Sequence, residues 1–306
     1  MKIVEATLEN VSLAAQIIRD GGLVAMPTET VYGIAVDAMN RDAVRRLFDA
    51  KGRPADNPLI VHIDSMAMLK MAAREIPPLV ERLADRFWPG PLTLVLRKQP
   101  DIPDEVTGGL TTVAVRQPRH PVAMGLIGLV GRPLAAPSAN RFMRLSATRA
   151  QHIDPDLASQ IDLILDGGPC PVGLESTVLD VTCDPPRILR PGSVSRGEIQ
   201  AAVGGPLGVM RPVGRKSPGM YPRHYAPSSR LVLVEIVPDD APGLVITQPR
   251  TPLHIKMPED PAAYAASLYD ALHRLDQMGR ETIYVQIPPA RPEWEAVHDR
   301  LLKASG

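Results

Sequence analysis

The stretch KGRPADNPLIVHI, residues 51–63, carries two cations on either side of a glycine, Lys51 and Arg53. A lysine ammonium supplies a point charge and an arginine guanidinium a planar fork, so together they suit the several oxygens of a polyphosphate. Both side chains also suit the last turn of a helix, where cations interact favourably with the helix dipole. Taken alone, the stretch is equally consistent with an anion site and with a charged helix end. It matches neither a Walker A loop nor a dinucleotide-binding GxGxxG motif.

Short polar clusters follow several apolar, strand-like segments, and ligands commonly bind after strands in open α/β sheets. The first cluster, PTETVYG, offers two threonine hydroxyls and the carboxylate of Glu29. The second, TTVAVRQP, ends in Arg116, which the two-residue period places on the same strand face as Thr112. The others are PLAAPSAN, LESTVLD and RILRPG. Each cluster alone also has an ordinary structural interpretation, as a helix cap, an edge salt bridge or a turn.

Residues 205–228 are rich in glycine and proline and lack an amphipathic pattern, which predicts a linker. From Arg190 to Tyr225 the chain has six basic residues and a single acid, Glu198. This composition fits a solvated basic tether. It also fits a lid that folds over a site holding a polyanion, with Tyr225 as one wall.

The balance of charges disfavours some classes of protein. Lysine plus arginine and aspartate plus glutamate number 34 each among 306 residues, so the chain lacks the positive excess of a nucleic-acid coat protein. No apolar run approaches the roughly 20 residues that span a bilayer, and the first residues are polar. We therefore expect a cytoplasmic protein without membrane contact. The two cysteines, Cys170 and Cys183, lack the spacing of a zinc ribbon or a disulfide framework.

Helix-like and strand-like segments alternate up to about Val203, which predicts a large twisted α/β sheet with flanking helices. One predicted helix, DAVRRLFDAKG, ends at the cation pair, and another covers MAMLKMAAREI. After the linker, the order strand, helix, strand, helix predicts a small α/β domain. We therefore expect a first domain over residues 1–204, the linker over 205–228 and the small domain over 229–306.

The order of these clusters resembles that of a known family. PTETVYG, KGRPADNPL, PGPLTLVL, TTVAVRQP, PLAAPSAN, ESTVLD, ILRPG and SPGMYPRHYAP follow one another as in the YrdC-type L-threonylcarbamoyladenylate synthases, in their longer two-domain form. The likeness covers roughly residues 10 to 230 with ordered motifs, and the remainder more loosely. It implies a YrdC-like catalytic domain with a large twisted mixed sheet, followed by a small Rossmann-like α/β domain.

The resemblance implies a nucleotidyltransferase that converts L-threonine, bicarbonate and ATP to L-threonylcarbamoyl-AMP and pyrophosphate. Mg²⁺ is expected to arrive with ATP rather than in a metal site of the protein, and no organic cofactor is expected. The product would serve the N6-threonylcarbamoyladenosine modification of tRNA position 37, through a separate threonylcarbamoyl transferase. A weak contact with tRNA is compatible with this role.

Carried over by motif, the resemblance implies roles for individual residues. The implied catalytic residues are those of the KxR and SxN motifs, Lys51, Arg53, Ser138 and Asn140. The implied ATP contacts are Lys51, Arg53, Asn57, Thr112, Ser138, Ser146, Arg190 and Tyr225. The implied L-threonine contacts are Thr30, His62, Arg116, Ala136 through its backbone, and Ser176. Arg116 suits the substrate carboxylate as a fork, and His62 is expected to orient the substrate rather than act as a base.

Two other functions are compatible with parts of the sequence. One is a double-stranded RNA-binding or tRNA-binding module, which the zero net charge disfavours. The other is the related carbamoyl-adenylate-forming domain of hydrogenase-maturation carbamoyltransferases, whose zinc-finger CxxC pairs this chain lacks. Pyrophosphate release that depends on L-threonine and bicarbonate would separate the synthase from both.

Overall fold

The computed structural model describes residues 3–208 and 224–306, which we call the N-terminal region and the C-terminal region. Each region contains a β-sheet with accompanying helices. Residues 209–223, most of the predicted linker, lie outside the described residues, so the linker and its proposed action as a lid stay predictions.

The larger sheet has eleven strands, all in the N-terminal region. They are β1 (Ile3–Glu5), β2 (Val24–Met26), β3 (Gly33–Asp37), β4 (Ile60–His62), β5 (Ala73–Arg74), β6 (Leu92–Lys98), β7 (Thr112–Arg116), β8 (Leu134–Ala135), β9 (Leu163–Asp166), β10 (Thr177–Asp180) and β11 (Arg187–Arg190). Their order is β1-β9-β2-β3-β8-β4-β7-β6-β10-β11, and β5 pairs with β6. Parallel and antiparallel pairs both occur, so the sheet is mixed.

Eight α-helices of the described N-terminal region accompany this sheet. They are α1 (Leu8–Arg19), α2 (Arg41–Lys51), α3 (Met66–Ala72), α4 (Pro78–Phe87), α5 (Asp104–Thr107), α6 (Pro121–Val130), α7 (Pro155–Ala158) and α8 (Arg196–Val203). A short 3₁₀ helix covers Ala150–His152.

The central strands present different side chains on their two faces. Val61 of β4 belongs to the main hydrophobic core, which also contains the buried faces of the helices. Its neighbour Ile60 belongs instead to a small separate apolar cluster, together with Ala114 of β7. Because side chains two residues apart lie on the same face of a strand, His62 and Arg116 share the second face with Ile60 and Ala114. The strand periodicity therefore places these two polar side chains away from the main core.

The C-terminal region is a small parallel α/β unit, as expected of a Rossmann-like domain. Its strands are β12 (Arg230–Val234), β13 (Gly243–Val245), β14 (His254–Lys256) and β15 (Thr282–Gln286), in the order β12-β15-β13-β14. All of their pairings are parallel. Its helices are α9 (Pro261–Asp276) and α10 (Glu295–Ser305), and a 3₁₀ helix covers Pro292–Trp294.

Local signals explain the start of α9, and a shared core joins the two regions. Asp260 caps α9 by accepting a hydrogen bond from the backbone N–H of Ala263, and Pro261 occupies the first turn. The apolar face of α9 packs in a cluster that also includes Leu145 and Leu174 of the N-terminal region. The C-terminal region is therefore packed directly against the larger unit.

Some elements differ from the sequence predictions. The helix predicted over MAMLKMAAREI ends at Ala72, and the next two residues form β5. The strand predicted over PLAAPSA has only two residues, because Pro137 has no N–H for a ladder hydrogen bond. The C-terminal region has two strands, β13 and β14, beyond the two that the order strand, helix, strand, helix predicts.

Candidate active site

A cavity lies over the second face of the larger sheet, next to the C-terminal region. Many of the predicted site residues line it. They are Thr30, Arg53, His62, Arg116, Ala136, Ser138, Ser176, Arg190 and Tyr225. Residues that are far apart in the sequence therefore meet at one place, as the ordered motifs predict.

One end of the cavity is built around Arg116, the last residue of β7. Its Nη1 donates to Thr30 Oγ1 at 2.9 Å, and its Nε donates to the carbonyl of Gly90 at 3.2 Å. Its Nη2 lies 2.5 Å from Oε1 of Glu29, in an ion pair whose two side chains are almost completely buried. We call Glu29, Thr30 and Arg116 the Arg116 cluster. The interpretation of Arg116 as an edge salt bridge is wrong, because β7 lies between two other strands and the pair is buried.

The PTETVYG turn presents Thr30 and Glu29 to different neighbours. Thr28 Oγ1 accepts hydrogen bonds from the N–H groups of Thr30 and Val31, and it donates to the carbonyl of Val31 at 2.6 Å. The turn leads into β3, so its interpretation as a helix cap is wrong. Thr28 and Thr30 line the cavity, and the carboxylate of Glu29 between them reaches Arg116.

His62 lies beside Arg116 in the register of β4 and β7. Its Nδ1 donates to the carbonyl of Ile60 at 3.2 Å. Burial, together with the charge of Arg116, lowers the pKa of His62 to about 3. The imidazole is therefore neutral near pH 7 and is a weak proton acceptor, which agrees with an orienting role.

Lys51 connects the KxR stretch to the SxN stretch. Its ammonium donates to the backbone carbonyls of Ser138 and Asn140. The end of α2 is capped by Gly52, which has a left-handed conformation with φ of 60°. Lys51 is the last residue of α2, so the prediction of a cation in the last helical turn is confirmed, and its ammonium also reaches the SxN stretch. Burial and the neighbouring charge of Arg53 hold the pKa of Lys51 well below its usual value.

Arg53, which lines the cavity, contacts the segment that contains Asn57. Arg53 donates through Nη2 to the carbonyl of Pro58 at 2.9 Å and through Nε to the carbonyl of Asn57 at 3.3 Å. The side-chain amide of Asn57 is buried, and neither its oxygen nor its nitrogen has a hydrogen-bond partner among the described residues. A buried amide is costly without partners, which suits a position that contacts a ligand.

Arg190, the last residue of β11, contacts Ser176, which directly precedes β10. Its Nη2 donates to the carbonyl of Ser176 at 2.9 Å and to Ser176 Oγ at 3.2 Å. The Ser176 hydroxyl also lies 2.7 Å from Thr93 Oγ1. All three side chains are buried, so the guanidinium of Arg190 has a defined position at the cavity wall.

Three cations surround His224, which lines the cavity together with Tyr225. Burial lowers the pKa of His224 to about 3, and the charges of Arg53, Lys51 and Arg190 act in the same direction. Two of these cations, Arg53 and Arg190, line the cavity with His224, and Lys51 lies behind the lining. Such a concentration of positive charge suits a polyanion.

A carboxylate with partners in both regions lies beside these cations. Glu175 Oε1 accepts from Ser146 Oγ at 2.5 Å, and Oε2 accepts from Tyr269 at 3.2 Å and from Arg300 Nε at 2.7 Å. We call Ser146, Glu175, Tyr269 and Arg300 the Glu175 cluster. Burial opposes ionisation of Glu175, but the charges of Arg300 and Arg190 and the hydrogen bonds from Ser146 and Arg300 together outweigh it and lower the pKa to about 2. Glu175 is thus an ionised carboxylate and a poor base.

Other predicted site residues lie outside the cavity lining. The side-chain amide of Asn140 donates to the carbonyls of Arg141 and Arg144, so it stabilises the loop of residues 140–144. Ser146 is buried and its hydroxyl faces Glu175. Thr112 lies at the opposite end of β7 from Arg116. Their roles as ligand contacts stay predictions.

Glu175, Tyr269, His273 and Arg300 were not predicted as site residues. Glu175 lies next to Ser176 in the motif LESTVLD, and this position was the one signal in the sequence that could have indicated a site residue. The other three belong to the amphipathic pattern of α9 and α10, which predicts helices and no site.

Within residues 3–208 and 224–306, no group of three or more histidine, cysteine, aspartate or glutamate side chains could hold a metal ion. Over the same residues, none of the helices has the length and apolar character needed to cross a membrane.

Two family models match the sequence. One, described as telomere recombination and covering the Sua5, YciO and YrdC proteins, matches residues 16–192. The other, described as the C-terminal domain of threonylcarbamoyl-AMP synthase, matches residues 194–306. A threonylcarbamoyl-AMP synthase of Pyrococcus abyssi is 43% identical over 97% of this chain and 94% of its own length. This chain belongs to the threonylcarbamoyl-AMP synthase family.

Other members of the threonylcarbamoyl-AMP synthase family agree with this assignment. A Bacillus subtilis member is 39% identical over 97% of this chain and 93% of its own length. The crystal structure of P. abyssi Sua5 complexed with L-threonine matches with a TM-score of 0.91 and 40% identity, over 99% of this chain and 96% of that chain. The family resemblance and the α/β fold predicted from the sequence are thereby confirmed.

Proposed function

We propose that this chain converts L-threonine, bicarbonate and ATP to L-threonylcarbamoyl-AMP and pyrophosphate. The observation that carries the proposal is a single cavity with a buried guanidinium at one end and three clustered cations nearby. The P. abyssi and B. subtilis relatives are named threonylcarbamoyl-AMP synthase, and the P. abyssi Sua5 structure is a complex with L-threonine.

At the threonine end, Arg116 would bind the substrate carboxylate. A guanidinium has five N–H donors, of which Gly90 and Thr30 accept two. Nη2 faces Glu29 without hydrogen-bond geometry among the described residues, so it retains donors for a second carboxylate. Thr30, His62, Ser176 and the backbone of Ala136 would surround the rest of the amino acid.

At the nucleotide end, Lys51, Arg53 and Arg190 would bind the phosphates of ATP. Charge accumulates on the transferring phosphate and on the leaving pyrophosphate, so fixed cations stabilise the transition state. Asn57 would add a hydrogen bond from its buried amide. Tyr225 would form one wall of this part of the site.

The chemistry then needs two steps. The neutral amine of threonine attacks the carbon of bicarbonate or CO₂ and gives a carbamate, with release of water from bicarbonate or of a proton to solvent from CO₂. A carbamate oxygen attacks the α-phosphorus of ATP, and the bond to pyrophosphate breaks. No strong base is assigned to the first step, since His62 and Glu175 both have strongly lowered pKa values. Positioning of the reactants supplies most of the catalysis.

We propose that Mg²⁺ enters as part of the Mg·ATP substrate. Mg²⁺ is usually held by substrate phosphates with one or two carboxylates. The carboxylate that lines the cavity, Glu175, is already engaged by Arg300, so the phosphates themselves are the principal ligands in this proposal.

We also propose a cytoplasmic role in the N6-threonylcarbamoyladenosine modification of tRNA position 37. The adenylate is a reactive mixed anhydride, so a separate transferase must take it up soon after release. A weak contact with tRNA stays part of this proposal.

The test is pyrophosphate release by the purified full-length chain, with each substrate omitted in turn. Release that requires ATP, L-threonine and bicarbonate together, with L-threonylcarbamoyl-AMP detected by mass spectrometry, would support the proposal. Release with carbamoyl phosphate in place of threonine would favour the carbamoyl-adenylate alternative. Salt-sensitive RNA binding without pyrophosphate release would favour the RNA-binding alternative.

A further inference from the structure

Arg300 of the C-terminal region is buried against the active site of the N-terminal region. Its side chain is fully buried, and Nε donates to Glu175 Oε2 at 2.7 Å. Its Nη2 donates to the carbonyl of Pro191 at 3.0 Å. A buried ion pair is weak evidence of a stabilising role, because desolvation offsets much of the attraction. The contacts of Arg300 therefore need another explanation.

Arg300 Nη1 pairs with Asp299 of its own helix, and the other contacts of Arg300 lead to residues with a predicted nucleotide role. Glu175 accepts the hydroxyl of Ser146, and Pro191 directly follows Arg190. The guanidinium carbon of Arg300 also lies 5.0 Å from the centre of the Tyr225 ring, in a cation–π contact. One side chain from the C-terminal region thus supports three parts of the nucleotide end.

The charge of Arg300 matters as well as its hydrogen bonds. Glu175 lines the cavity, so without compensation its negative charge would repel the phosphates of a nucleotide. The guanidinium offsets that charge without entering the cavity lining. Arg300 therefore reduces the repulsion between the Glu175 carboxylate and a polyanion. The hydrogen bonds that orient Glu175 are retained.

We propose that Arg300 is a positioning residue for nucleotide binding. It neutralises and orients Glu175, and its guanidinium packs over the ring of Tyr225. The C-terminal region thereby completes the nucleotide end of the cavity. The identity of the nucleotide as ATP rests on the proposed function.

The experiment compares ATP and L-threonine affinity in full-length Arg300→Met and Arg300→Lys by titration calorimetry. Arg300→Met removes the charge and keeps a long apolar side chain. We expect ATP affinity to fall about tenfold or more in Arg300→Met, since one partner of a buried charge pair is removed, while threonine affinity stays within about twofold. Arg300→Lys keeps the charge but cannot contact Glu175 and Pro191 together, so a smaller loss is expected.

A rescue variant separates positioning from simple stability. Adding Glu175→Gln to Arg300→Met removes the uncompensated charge, so it should recover part of the lost ATP affinity. The matched control is Arg274→Met, an exposed arginine of α9, which should keep both affinities.

Unchanged ATP affinity in Arg300→Met would overturn the proposal. So would equal losses for both ligands that Glu175→Gln does not recover. If Arg300→Met does not fold, wild-type ATP affinity in Arg300→Lys would overturn it. A wild-type chain that binds ATP but releases no pyrophosphate would refute the proposed function and leave this comparison valid. A wild-type chain that binds no ATP would overturn both.

Discussion

The Arg116 cluster and the Glu175 cluster are both buried charge pairs beside the same cavity, but they are assembled differently. Arg116 contacts Glu29, Thr30 and Gly90, all in the N-terminal region. Glu175 contacts Ser146 in the N-terminal region, and Tyr269 and Arg300 in the C-terminal region. The first cluster lies within one region, whereas the second joins the two regions.

This difference indicates that the C-terminal region contributes to the nucleotide end of the cavity and not to the threonine end. The threonine end needs no residue of the C-terminal region for its described contacts. At the nucleotide end, His273 of α9 adds a further contact, since its Nε2 lies 3.1 Å from the carbonyl of Ser146. Nucleotide affinity should therefore depend on how the two regions are packed, and threonine affinity should not.

The largest expected effect is at the Arg116 cluster. Glu29→Ala leaves the guanidinium of Arg116 buried and uncompensated, so we expect the free energy of unfolding to fall by about 3 to 5 kcal/mol. Urea unfolding followed by circular dichroism measures this. Glu9→Ala, at an exposed position of α1, should change it by less than about 0.5 kcal/mol. If the free energy of unfolding falls by less than about 1 kcal/mol in Glu29→Ala, the burial of Arg116 does not depend on its pair with Glu29.

The next effect concerns the cations that serve the nucleotide end from within the N-terminal region. Lys51→Ala or Arg53→Ala should cost about 2 to 4 kcal/mol of transition-state stabilisation, because each removes a fixed charge near the transferring phosphate. The measurement is kcat/KM for pyrophosphate release. Lys70→Ala, on the exposed face of α3, is the control. Near-wild-type turnover in both variants would contradict the assignment of the KxR motif.

The two clusters also differ in how far the sequence could predict them. Thr30, His62 and Arg116 lie at the ends of strands or in the turns beside them, and ordered motifs with strand periodicity are enough to group them. The pair of Glu175 and Arg300 spans 125 residues. No local pattern in HDRLLKA distinguishes Arg300 from an exposed helical arginine, so only the packing of the two regions reveals it.

Some short strands and one side-chain direction could not be predicted from the sequence for a related reason. The strands β13 and β14 have three residues each, which is too short for a two-residue period to be recognised. The direction of the Ser146 hydroxyl depends on Glu175, a tertiary partner. The fold class, which depends on many segments, was predicted correctly.

A smaller effect tests the contribution of the C-terminal region alone. Tyr269→Phe removes one hydroxyl that donates to Glu175 and keeps the ring, so we expect ATP binding to weaken by about 0.5 to 1.5 kcal/mol. Tyr264→Phe is a matched control on the same helix, since its buried hydroxyl has no partner among the described residues. A change in threonine affinity instead of ATP affinity would contradict the division between the two ends.

The smallest expected effect on catalysis is the contribution of His62 to the pH profile. Its pKa of about 3 keeps the imidazole neutral from pH 8 down to about pH 5, so threonine KM in wild type and His62→Gln should follow parallel curves. Stability should respond instead, because the unfolded chain binds a proton near pH 6.5 that the folded chain refuses until about pH 3. The stability associated with His62 is therefore complete above about pH 6.5 and lost as the pH falls towards 3. A wild-type transition in KM near pH 6.5 that disappears in His62→Gln would show a titrating, catalytic histidine at the threonine end.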